Sequence, residues 1–131
     1  MNIFASLPNA STFAIINSVF EHKLKESLEI LAIERKRGTN ILPLSAMIAF
    51  KLRQILRYLE LKRNGYAQKD AMDELGIKHP YPIKLMVQYS KNFDEKRLKK
   101  ALLEIADLNA KLRRGGRDYD RLEEILVYLL R

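Results

Sequence analysis

Apolar residues recur every three or four positions along almost the whole chain, which constrains it to helices that each bury one stripe. The pattern is clearest over residues 43–62, where Leu44, Ile48, Leu52, Ile55 and Leu59 share a face, with Met47 and Leu56 beside it. Pro43 can open this helix because a first-turn N–H has no intrahelical partner, and Asn64-Gly65 ends it. The same spacing predicts helices over 12–20, 23–36, 68–75, 82–91, 95–112 and 119–130. Ser11 or Thr12 is positioned to cap the helix over 12–20, and Asp94 the one over 95–112. Pro80 and Pro82 bracket Tyr81, which is therefore expected to be non-helical and to pack against them. The expected fold is all-α, an irregular bundle of about seven helices joined by short loops. Residues 1–10 read as a lead-in and 11–131 as a single helical domain.

Composition narrows the chemistry. The 131 residues are 47% hydrophobic and 31% charged, a mixture that folds around a core rather than staying disordered. With no Cys, and with His22 and His79 far apart, neither a disulfide framework nor a Cys- or multi-His metal site is expected. No carboxylate pair, nucleophile–base pair or cofactor loop stands out, so no catalytic residue and no cofactor is expected. No apolar run reaches the roughly 18 residues of a membrane span, and no secretory signal pattern opens the chain, which reads as cytoplasmic.

The net charge of +8 suits contact with nucleic acid or another acidic surface. Residues 35–63 hold eight basic side chains and one acid, Glu60, which reads either as a solvated face or as part of such a contact. The sharpest DNA candidate is the segment of Lys111, Arg113, Arg114 and Arg117, where Gly115-Gly116 lets backbone approach a phosphate. Asp107 and Lys111, four apart, are expected to pair at about 0.2–0.5 kcal/mol and to steady that loop. Gly76, His79, Pro80 and Pro82 read as a rigid turn, since a lone His beside prolines lacks a catalytic or metal partner. Residues 68–91 also have a helix-turn-helix outline, which would suit a DNA-binding regulator or nucleoid protein. The second helix of that pair is mostly apolar (Ile83, Leu85, Met86, Val87), whereas a recognition helix needs polar side chains aimed at base edges.

Three segments in order carry a family resemblance: Leu44-Ser45-Ala46-Met47-Ile48-Ala49-Phe50-Lys51-Leu52-Arg53; Leu75-Gly76-Ile77-Lys78-His79-Pro80-Tyr81-Pro82-Ile83-Lys84; and Ala106-Asp107-Leu108-Asn109-Ala110-Lys111 followed by Gly115-Gly116 and Leu122-Glu123-Glu124-Ile125-Leu126. Together they resemble the C-terminal helical domain of the bacterial DNA polymerase III delta subunit, with its Gly-x-x-His-Pro and Asp-x-x-x-Lys signatures. The resemblance implies a non-catalytic collar domain that packs with tau/gamma and delta-prime subunits into a hetero-pentamer. In such proteins two preceding ATPase-like domains lack ATPase function, and the first opens the sliding clamp. A collar-like domain starting directly after Met1 points to a piece of a longer protein, so the clamp would be reached only through domains absent from this sequence. Primer–template DNA is an implied further ligand. Within the expected collar, Leu122, Ile125, Leu126, Tyr128 and Leu129 are the subunit-interface candidates, because residues 125–130 are apolar nearly all round.

Overall fold

The computed structural model describes residues 10–131. Among the described residues the chain forms seven α-helices and no strand: α1 (Ala10–Phe20), α2 (Leu24–Lys36), α3 (Leu42–Arg63), α4 (Gln68–Leu75), α5 (Pro80–Ser90), α6 (Glu95–Arg113) and α7 (Tyr119–Leu130). The expected lead-in lies outside the described residues, except for Ala10. That residue already belongs to α1, so Ser11 and Thr12 sit inside the helix and are not its cap. Asp94 does cap α6: its Oδ2 accepts the Arg97 N–H at 3.1 Å, satisfying one of the free first-turn donors.

The turn into α5 differs from expectation. His79 is the extended residue before the helix, and Pro80 and Pro82 both fall within the first turn, with Tyr81 helical between them. Neither proline removes a needed hydrogen bond there, since first-turn amides have no carbonyl to reach. Tyr81 does not pack down against the prolines but stays 68% exposed. Gly76 closes α4 with φ of 72°, a left-handed conformation that glycine adopts without a Cβ clash. Its neighbour Ile77 donates its N–H back to the Met72 carbonyl at 3.0 Å.

Packing contacts run α3 to α6, α6 to α7, α7 to α2, α2 to α1 and α1 back to α3, so five helices close on themselves around the core. Helices α4 and α5 lie outside this closed set, both resting on α3. Burial follows the periodicity: Ile48, Leu52 and Ile55 of α3 meet Leu98, Ile105 and Leu108 of α6 in one continuous apolar cluster. One polar link crosses that central pair, where buried Ser45 donates its hydroxyl to Asn109 Oδ1. At the other side Phe20 stacks with Tyr89 and Phe93 at 5.9 Å each, and Asn92 Nδ2 donates to the Phe20 carbonyl at 3.0 Å. These contacts fasten α5 and the start of α6 to the end of α1. Aromatic residues dispersed in sequence thus gather in space, as core rather than as a stacking surface.

Candidate nucleic-acid and subunit interfaces

Helices α2 and α6 end beside each other, and their last turns carry most of the local charge. Cations are favoured there by the negative pole of each helix dipole. Around this end lie Arg35, Lys36, Arg37, Lys111, Arg113, Arg114 and Arg117, against Glu34, Asp118 and Asp120. Each carboxylate takes one cation: Arg37 to Glu34 at 3.2 Å, Lys111 to Asp118 at 2.7 Å and Arg35 to Asp120 at 2.6 Å. Lys36, Arg113, Arg114 and Arg117 make no ion pair among the described residues, and all four are exposed. The candidate set from sequence therefore divides. Arg113, Arg114 and Arg117 are available to a ligand, whereas Lys111 is engaged within the fold.

Lys111 holds the loop, but not through Asp107, which lies exposed on α6. Its ammonium reaches forward to Asp118 Oδ2, and its carbonyl accepts the N–H groups of Arg114 at 3.2 Å and Gly116 at 3.1 Å. A Cβ on Gly116 would sit 3.0 Å from both Lys111 Cγ and the Lys111 carbonyl, so a side chain here would crowd this crossing and Lys111 would have to shift by a few tenths of an ångström. Asp118 also caps α7, its Oδ1 accepting the Arg121 N–H at 3.0 Å. The Lys111 hydrogen bond, then the Arg121 N–H, hold the Asp118 carboxyl below its ordinary range.

Tyr119, first in α7, spans to the α2–α3 connection. Its hydroxyl donates to the Thr39 carbonyl and lies 3.3 Å from that of Glu34. Burial and the nearby Glu34 push its ionisation upward, so the hydroxyl stays a donor. Buried Glu34 braces the same connection, accepting from Thr39 Oγ1 at 2.7 Å. Local spacing in the sequence does not mark Glu34, Asp118 or Tyr119 for these tertiary contacts. Asp118 alone carried a local signal, an Asp directly before an amphipathic run.

Four of the five interface candidates of α7 are withdrawn from the surface. Leu122, Ile125, Leu126 and Leu129 are core residues, buried between α6 and α2. Only Tyr128 keeps partial exposure, with the cations of Lys100, Arg131 and Arg97 at 4.6, 5.6 and 5.8 Å from its ring. Uncovered apolar surface is found instead around α3, α4 and α5. A groove of about 340 Å³ between α3 and α5 is lined by Ile77, Tyr81, Leu85 and Met86, with Lys51 and Gln54 at its side. A second, of about 520 Å³ between α3 and α4, shares Gln54 and mixes Phe50, Leu56 and Leu75 with the charged Arg53, Arg57, Glu60 and Glu74. Phe50 is 58% exposed. On α5 the exposed side chains with polar groups are Tyr81, Lys84 and Gln88, a poor set for reading base edges. Among the described residues no group of three His, Cys, Asp or Glu side chains could hold a metal, and no helix is long and apolar enough to cross a membrane.

Fold and surface together define a helical domain with one basic end and one uncovered apolar flank. The family described as "DNA polymerase III delta subunit, C-terminal domain" matches residues 9–130, and the chain belongs to it. The DNA polymerase III subunit delta of Bacillus subtilis strain 168 is 27% identical over 118 residues, covering 90% of this chain and 34% of that protein. A solved structure of the Bacillus subtilis DNA clamp loader delta protein superposes with a TM-score of 0.71 at 28% identity, over 92% of this chain and 35% of that one. The chain thus spans about a third of the length of these relatives.

Proposed function

We propose that this domain is the collar of a clamp-loader delta subunit and acts by packing against tau/gamma and delta-prime subunits. The observation that carries the reading is the apolar flank over α3, α4 and α5. Phe50 and Tyr81 are more than half exposed there, beside two grooves. Exposed aromatic side chains beside grooves of mixed apolar and polar lining suit a protein partner. The partner would cover a surface distinct from α7, whose leucines already serve the core. Association with the folded partner subunits tests it. Phe50→Glu and Tyr81→Glu change only exposed side chains, so they should keep the helical signal and melting temperature while weakening complex formation at least tenfold. Unchanged association in both variants would remove this flank from the interface.

Primer–template DNA is the second ligand supported by a specific observation, the unpaired cations Arg113, Arg114 and Arg117. Replacing all three by Ala should weaken binding to a primer–template duplex. It should also lower the slope of log affinity against log salt by about 3, near one unit per lost phosphate contact. An unaltered slope would leave the loop as solvated surface.

A further inference from the structure

The 113–117 loop faces a second wall. Gly38, Thr39 and Asn40 of the α2–α3 connection line a groove of about 430 Å³, with Gly115, Gly116 and Arg117 across from them. Tyr119 and Arg35 also line it and tie the walls together, the tyrosine through the Thr39 carbonyl and the arginine through Asp120. Arg35 additionally lies against the Tyr119 ring at 5.8 Å. The groove is therefore braced from both sides before any ligand arrives. The backbone N–H groups of Asn40 and Arg117 have no acceptor among the described residues. Exposed Lys36, which ends α2 two residues before Gly38, does not line the groove itself but precedes its α2-side wall, and it makes no ion pair among the described residues.

We infer that the α2–α3 connection is the second wall of a phosphodiester-binding groove, with a nucleic-acid backbone lying between it and the 113–117 loop. This rests on the DNA reading of that loop and adds the opposite wall to it. The charge balance favours an extended polyanion over a single phosphate. Glu34, Asp118 and Asp120 are each matched by one cation, and Glu123 adds a further carboxylate near Arg35. Arg117 lines the groove, while Lys36, Arg113 and Arg114 stand on the two chain segments that flank it. Successive phosphates of one backbone can reach separated cations, and Asn40 and Arg117, whose N–H groups lack acceptors among the described residues, both line the groove.

Two substitutions on the α2 side test it, read by fluorescence anisotropy of a labelled primer–template duplex over a range of salt. Lys36→Ala removes a cation that makes no ion pair among the described residues, and should lower the salt slope by about 1. Asn40→Asp preserves the Oδ1 acceptor that receives the Leu42 N–H at 3.1 Å but introduces a carboxylate beside the ligand. Affinity should then fall about fivefold near 0.1 M salt, with the melting temperature unchanged. The triple Ala variant of Arg113, Arg114 and Arg117 is the comparison. If it weakens binding while Lys36→Ala and Asn40→Asp leave affinity and slope untouched, the second wall is overturned and the single-loop contact stands. If the wild-type chain does not bind, or the triple variant binds as wild type, the DNA reading itself fails and the second wall with it.

Discussion

Asp118 uses both of its carboxylate oxygens, one on the α7 cap and one on Lys111. Its depressed pKa fixes the sign of the acid response. The stabilisation is fully present above the unfolded carboxylate range near pH 4, and is lost as pH falls through the lower folded value. Asp118→Ala removes cap and ion pair together and should cost about 1–2 kcal/mol in urea unfolding at neutral pH. Asp118→Asn keeps the cap acceptor, so it should cost less than half as much; equal losses would show that the cap contributes nothing. At this scale the sequence was legible where the signal is local. Asp94 stands before its helix and caps it, as its position implied. The Lys111 partner was misread because helical spacing points back to Asp107, while the tight Gly115-Gly116 turn brings Asp118 nearer. Glu34 and Tyr119 meet only through contacts 80 or more residues apart, which no local pattern encodes.

Helix α7 shows what periodicity leaves open. An apolar stripe says that a face is buried, but not against which neighbour. Residues 125–130 look apolar nearly all round because α6 covers one side of α7 and α2 another, within the same chain. Leu126→Ala in the isolated chain should therefore cost about 2–5 kcal/mol in chemical denaturation, the range for an emptied core site. A loss below about 0.5 kcal/mol would mean that the fold does not depend on this side chain. The start of α5 teaches a related point. Pro-x-Pro reads as a helix boundary, yet two prolines fit one first turn, and Tyr81 between them remains helical and exposed.

Over the whole molecule, the order and number of helices followed from hydrophobic spacing, and their ends from glycines and the Asp94 cap. The closure of α3, α6, α7, α2 and α1 around one core did not, since it depends on pairings between distant segments. That closure decides which surfaces stay uncovered. It brings the ends of α2 and α6 together as a basic end, and it leaves α4 and α5 outside, with grooves against α3 still open. The basic 113–117 loop thus has a facing wall in the α2–α3 connection, and exposed apolar side chains lie on α3 and α5 while the α7 leucines are buried. The most direct test is the mass, by light scattering, of the folded chain mixed with tau/gamma and delta-prime subunits at micromolar concentration. A species heavier than any component and containing this chain is the predicted result, reduced in amount by Phe50→Glu. A mixture in which the chain retains its separate mass, with every component folded, would contradict an assembly role.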